Sequence, residues 1–276
     1  ALIYVHRPPV DAEVDALMLG THPSQQRLSF EELLAQHLSL RSLREQIHEY
    51  AAPPLHGESE IAEAFMQQLP FELTNAQTRV IKDIRVDMHK DVSMLRLIQG
   101  DVGSGKTVVA TIAALQAISS GYQVAYMAPT ELLAEQHFLN ISAWLEPLEI
   151  PVKLLTGKLS KAEHTSVLED IAIPKAQLVV GTHALFQESV EFARLGLVII
   201  DEQHRFGVHQ RLALLEKAGA IQPHQLVMTA TPIPRTLAMT LFADLDISVI
   251  DELPPGRQTI KTIAISNKKR DEVIDR

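Results

Sequence analysis

The stretch Gly100-Asp101-Val102-Gly103-Ser104-Gly105-Lys106-Thr107 restricts this chain more than any other. A glycine-spaced loop that closes in Lys-Thr is a phosphate-binding loop, and it works only between a strand and a helix. Both are predicted here: a short apolar run at residues 94–98 and an apolar helical pattern at 105–119. Gly100, Gly103 and Gly105 let the backbone bend so that consecutive N–H groups face phosphate oxygens, and the helix N-terminus adds a favourable dipole. Lys106 would reach the outer phosphates and Thr107 would ligate Mg²⁺.

Around the loop, strand and helix patterns alternate. Further apolar strands are predicted at 124–127, 152–155, 178–180, 197–200 and 226–228, with helices at 131–145, 161–172, 208–218 and 234–243. Such alternation implies an α/β fold, a parallel sheet with helices on both faces. The pattern breaks at Asp251-Glu252-Leu253-Pro254-Pro255-Gly256, and residues 260–265 read as the first strand of a further unit. Residues 1–70 read instead as an α-helical extension. Ser29-Phe30-Glu31-Glu32 has the form of a capping box, followed by Leu33, Leu34, Leu38, Leu43 and Ile47 at helical spacing. Residues 51–57 read as a linker, and a short helix is expected at about 58–68.

Three more segments carry candidate chemistry. The apolar run at 197–200 ends in Asp201-Glu202-Gln203-His204, at the strand edge where open α/β sheets bind ligands. Asp201 would hold Mg²⁺, and Glu202 would orient and deprotonate an attacking water. By itself this is an ordinary strand with an acidic turn; the upstream loop gives it meaning. Met228-Thr229-Ala230-Thr231-Pro232 ends another strand, and its hydroxyls could bond to the 201–204 segment. Phe71-Glu72-Leu73-Thr74-Asn75-Ala76-Gln77 reads as a capping box with Thr74 as N-cap and Gln77 at the third position; Gln77 could equally pair with the edge of adenine.

Composition sets outer limits. With 276 residues, 46% apolar, there is enough chain for a sizeable core. No apolar run approaches the ~18 residues of a membrane span. The absence of cysteine excludes disulfides and thiolate metal sites and fits the cytoplasm. The twelve histidines show no metal-ligand spacing. A net charge of −9 counts mildly against nucleic acid, although backbone N–H groups and helix N-termini can still grip phosphates.

Taken in order, the loop, Ala128-Pro129-Thr130-Glu131-Leu132-Leu133-Ala134-Glu135-Gln136-His137, the Asp-Glu-Gln-His box and Thr-Ala-Thr resemble the signatures of superfamily-two helicases. Arg205-Phe206-Gly207-Val208, Pro232-Ile233-Pro234-Arg235-Thr236-Leu237, Leu154-Leu155-Thr156-Gly157 and Asp251 to Arg257 are similar to the RecG branch, as are His6-Arg7-Pro8-Pro9 and Gln26-Arg27-Leu28. The resemblance covers essentially the whole chain. It implies a RecA-like P-loop NTPase lobe of an ATP-dependent DNA helicase that remodels stalled forks and branched DNA in repair and recombination. Transcription-repair coupling and replication-restart translocases are the near alternatives, and a non-hydrolytic nucleotide-binding interaction module is the alternative of another class. On this resemblance Phe71 and Gln77 would bind adenine, and residues 103–107, Ser104 among them, would hold phosphate and Mg²⁺. His204 would join Lys106, Asp201 and Glu202 in catalysis. Gln203, Thr229, Thr231 and Arg235 would couple nucleotide state to motion. Pro129, Thr130, Gly157, Thr182 and His183 would meet DNA, though the turns at 128–130 and 181–183 read equally as helix caps after strands. The implied layout is a helical linker at 1–70, the ATP-binding lobe at 71–250, and an inter-lobe linker with the start of a second lobe at 251–276. The implied partners are forked DNA, a single-stranded-DNA-binding protein, and a wedge and second motor lobe of the same chain. Because the chain starts at Ala1 rather than Met and stops at Arg276, it is expected to be an excised fragment without that lobe's arginine finger. Such a finger is worth ~10³–10⁵ in rate, so weak ATP binding and negligible turnover are expected.

Overall fold

Among the described residues, seven short strands form one sheet in which every pairing is parallel, in the order β3-β4-β2-β5-β6-β1-β7. They are β1 (Leu95–Gly100), β2 (Gln123–Met127), β3 (Val152–Leu155), β4 (Leu178–Gly181), β5 (Leu195–Asp201), β6 (His224–Thr229) and β7 (Asp246–Ile250). The computed structural model describes residues 1–47, 51–57, 60–187, 189–202, 221–231 and 245–254, together with 265, 266, 270 and 274. The expected helices 208–218 and 234–243, and the expected strand 260–265 apart from residue 265, lie outside the described residues.

Strands β2, β4 and β6 are buried at every position, which requires a sheet covered on both faces. Alternate side chains divide between two cores. Ile98, Val124, Tyr126, Val180, Ile199 and Met228 face the larger one, which also takes residues from α4 (Glu60–Gln68), α5 (Asn75–Met88), α6 (Lys106–Ser119) and α7 (Glu131–Leu145). Leu97, Met127, Val179, Val198, Ile200 and Val227 face the other, closed by Ile171 of α8 (Lys161–Ala172) and by Leu185 and Val190. Helix α6 is buried from Val108 to Ile118, as expected of a helix that is apolar all round.

Helices α7 and α8 have the boundaries expected from sequence, each opened by a side-chain cap, Thr130 and Ser160. Strand β7 was not anticipated. Its alternation of Asp246, Ile247, Ser248 and Val249 is weak, and it becomes a strand by pairing with the edge of β1. Arg96 donates to Ser248 and to Asp87, and Ser248 donates to Asp83, which satisfies the polar groups there.

The N-terminal region departs further from expectation. Short helices α1 (Leu2–His6) and α2 (Val14–Met18) precede α3 (Pro23–Ile47). The expected start of a helix at Ser29 is wrong: Ser29 lies inside α3. Pro23 opens that helix, a favoured first position, and the Ser24 N–H donates to His22 Nδ1, capping it earlier. Phe30, Leu33, Leu34 and Leu38 are exposed. By contrast, residues 51–57 are tied down. Ala52 N–H donates to Asp91 O and Leu55 N–H to Met88 O, and the Gln116 amide donates to Leu55 O. Leu55 and Phe65 are fully buried; complete burial of one such side chain contributes roughly 1.5–3 kcal/mol.

Candidate functional site

In a parallel sheet all strands present their C-terminal ends along one edge, and ligands bind there. The strand order separates that edge into two groups of loops. The phosphate loop follows β1, Asp201 and Glu202 end β5, and Thr229 and Thr231 end β6; these three strands are neighbours. Pro129 and Thr130 follow β2, Gly157 follows β3, and Thr182 and His183 follow β4; these three are neighbours on the other side.

The loop has the backbone its glycines permit. Gly103 and Gly105 adopt φ of 78° and 86°, left-handed values that side-chain-bearing residues rarely take. At Gly105 a methyl group would also lie 2.3 Å from the Gln77 amide nitrogen. Lys106 Nζ donates to the carbonyls of Gly100 at 2.7 Å and Asp101 at 3.0 Å. Burial lowers the Lys106 pKa, and Asp201, Glu202 and Asp101 oppose that shift. Two further observations fit an anionic ligand here. The Ser104 hydroxyl is buried without a hydrogen-bond partner among the described residues. The first N–H groups of α6 have no intrahelical partners, and donors at a helix N-terminus suit a phosphate.

Gln77 takes the first of its two expected roles in this structure. Its Oε1 accepts from Thr74 N–H at 2.9 Å, and Thr74 Oγ1 accepts from Gln77 N–H, completing the capping box. Its Nε2 donates to Ser104 O at 2.8 Å, so the amide is bonded to the phosphate loop itself. Phe71 is partly exposed and lines a shallow groove with Met66 and Pro70.

Asp201 is nearly buried at the end of β5, and its Oδ2 lies 2.8 Å from His137 Nε2. Glu202 holds φ 52°, a left-handed value uncommon for a residue with a Cβ and worth a functional hypothesis at a strand end. Thr229 Oγ1 and Thr231 Oγ1 bond to each other at 2.8 Å, and Thr231 N–H donates to Thr229 Oγ1. The hydroxyls thus brace their own turn. Gln203, His204 and Arg235 lie outside the described residues.

In the other group, Thr130 caps α7 by accepting from Leu133 N–H, which is the cap reading of that turn. Thr182 is buried, whereas His183 is exposed and opens a 3₁₀ turn, His183–Phe186. Lys158, next to Gly157, pairs with Glu131 and Glu135 of α7 and so joins the β3 turn to the β2 turn.

Sequence reasoning missed two groups of contacts. The first is Tyr126 and His137, which adjoin Asp201 and Thr107. A usable signal existed: His137 sits in the stripe Ala134–His137–Ile141, whose flanking members are fully buried. The second is Asp251 and Glu252. Glu252 Oε2 accepts from Ala76 N–H at 3.0 Å, and Arg79 pairs with Asp251 at 2.7 Å, so the segment after β7 is clasped to the helix that carries Gln77. Beside them a cleft of about 310 Å³ is lined by Gly100, Asp101, Ala230 and Asp251 to Leu253.

The DEAD/DEAH box helicase family matches residues 74–240. The chain is 56% identical over its whole length to the ATP-dependent DNA helicase RecG of Haemophilus influenzae, and 55% identical to that of Escherichia coli. It spans 40% of the length of each of those relatives. A solved structure of RecG bound to a three-way DNA junction superposes with a TM-score of 0.82 at 41% identity, covering 91% of this chain and 33% of that one.

Proposed function

The chain belongs to the DEAD/DEAH box helicase family, and from that premise we propose that it is the ATP-binding lobe of an ATP-dependent DNA helicase acting on forked or branched DNA. The observation that carries this reading is the convergence of Lys106, Asp201 and Glu202 on one sheet edge, with the two carboxylates close enough to oppose the burial shift of the lysine.

In this reading the backbone N–H groups of residues 103–107 and the Lys106 ammonium bind the phosphates. Lys106 leaves its two loop carbonyls to do so. Thr107 and Asp201 offer the hydroxyl and carboxylate oxygens that suit Mg²⁺. That ion, when bound, neutralises charge building on the β- and γ-phosphate oxygens. Glu202 orients the attacking water and takes its proton. Gln77 and Phe71 read adenine, which requires the Gln77 amide to exchange Ser104 O for the base. Pro129, Thr130, Gly157, Thr182 and His183 meet DNA phosphates. Gln203, His204, Thr229, Thr231 and Arg235 relay the nucleotide state. Residues 1–70 act as a helical linker from a wedge, 71–250 as the lobe, and 251–276 as the path to a second lobe that completes the site. Work in the cytoplasm fits this role; among the described residues no helix is long and apolar enough to cross a membrane.

The test is ATP turnover by the full-length protein with and without forked DNA. Fork-stimulated hydrolysis that disappears in both Lys106→Ala and Glu202→Gln is the expected result. Stimulation that survives both substitutions contradicts the assignment, and stimulation by duplex RNA in place of the fork contradicts the substrate.

A further inference from the structure

Two side chains with no role so far connect the candidate Mg²⁺ ligands. Tyr126 lies in β2 and is fully buried. Its hydroxyl lies within electrostatic reach of the Thr107 side chain on one side and 3.5 Å from His137 Nδ1 on the other. The Tyr126 and His137 rings sit 4.9 Å apart, tilted by 49°. His137 in turn reaches Asp201 at 2.8 Å through Nε2, and both of those side chains are only 12% exposed. One buried chain of contacts therefore runs Thr107, Tyr126, His137, Asp201. It spans α6, β2, α7 and β5, elements separated in sequence.

The chemistry of the four groups orients that chain. A carboxylate accepts only, so His137 Nε2 carries the proton toward Asp201. In the Nε2–H tautomer Nδ1 is left to accept from the Tyr126 hydroxyl, and the Tyr126 oxygen is then open to accept from the Thr107 hydroxyl. With its proton directed at Tyr126, the Thr107 oxygen keeps its lone pairs for a cation. Asp201 keeps Oδ1 for the same cation while Oδ2 is held. The arrangement matches a recurring design in which outer partners fix the direction of metal-binding oxygens.

We propose that Tyr126 and His137 are positioning residues that aim Thr107 and Asp201 at the Mg²⁺ of the bound nucleotide. This rests on the reading of Thr107 and Asp201 as its ligands. Neither residue touches the reacting atoms, so the effect belongs to metal-dependent binding. Loss of such an outer partner typically weakens metal affinity about 10–100-fold.

The experiment measures the affinity of the protein for a fluorescent ADP analogue in excess Mg²⁺ and in EDTA; the ratio is the Mg²⁺ enhancement. Wild type is compared with His137→Ala, His137→Gln, Tyr126→Phe and Asp201→Asn, with thermal melting recorded for each. The expected result is an enhancement reduced about 10-fold or more in His137→Ala. A smaller reduction is expected in Tyr126→Phe, and partial rescue in His137→Gln, which keeps an N–H donor for Asp201. Affinity in EDTA is expected to stay at the wild-type value in the Tyr126 and His137 variants. Should His137→Ala melt, His137→Gln and Tyr126→Phe carry the test. The proposal is overturned if the variants keep the full enhancement, or if their affinity in EDTA falls in parallel. If Asp201→Asn keeps the full enhancement, the reading of the site itself fails. If Asp201→Asn loses it while the Tyr126 and His137 variants keep it, only the positioning role fails.

Discussion

The two halves of the sheet edge are built on different principles. After β5, β6 and β1 the loops carry side chains whose chemistry is specific: a lysine, two carboxylates and paired threonine hydroxyls. After β2, β3 and β4 they carry caps and turns, with Thr130 opening a helix and Thr182 buried. Breaking a phosphate anhydride needs charges placed to a fraction of an ångström. Following a nucleic-acid backbone needs N–H groups and hydroxyls at regular intervals, which ordinary turns already present. The border falls between β2 and β5, and there the His137–Asp201 contact crosses it.

Substitutions on the two sides should fail differently. The largest effect is expected from Glu202→Gln, which keeps size and hydrogen bonding but removes the proposed base. DNA-stimulated hydrolysis by the full-length protein should fall ~10²–10⁴-fold with nucleotide binding retained. Lys106→Ala comes next, removing charged hydrogen bonds worth ~1.5–3 kcal/mol, so nucleotide affinity should drop about 10–100-fold while fork affinity without nucleotide stays unchanged. On the other side Thr130→Ala removes the hydroxyl that caps α7, a cap worth about 1 kcal/mol. It should weaken fork binding several-fold and leave nucleotide affinity alone. If Thr130→Ala instead weakened nucleotide and spared DNA, the division would be misdrawn.

The smallest effect lies behind both halves. His224 is fully buried; its Nδ1 accepts from Met94 N–H, and its Nε2 donates to Pro53 O, pinning the 51–57 segment to the sheet. Burial lowers its pKa from the ordinary histidine value, against the opposing pull of Pro53 O and Asp87. The unfolded chain then binds the proton more readily. The stability contributed is fully present above the unfolded histidine pKa of about 6.5, and is lost as pH falls from there through the folded value. Urea titrations across that window should show a shallow acid-side loss that His224→Gln flattens. An unchanged slope in that variant would remove the assigned role.

What the sequence revealed follows the same division. The phosphate loop was legible because its glycines and Lys-Thr pair are adjacent in the chain, and the alternation around it set the parallel sheet. Gln77 was legible as a cap or an adenine reader; the fold adds a third engagement, with Ser104 O, because α5 packs against the loop. Tyr126 and His137 were not legible as site residues. Tyr126 lies in a strand buried throughout, and His137 meets Asp201 across a sequence separation of 64. Strand β7 was missed because an edge pairing made it, and the true start of α3 because His22 and Pro23 cap better than Ser29.

Amide hydrogen exchange on the full-length protein, with Mg²⁺–ADP and separately with a forked DNA, tests the division most directly. Nucleotide should slow exchange in 100–107 and 198–202 and leave 128–133, 156–158 and 181–186 near their free rates; forked DNA should do the reverse. Protection of the same segments by both ligands, or of the opposite ones, would contradict the account.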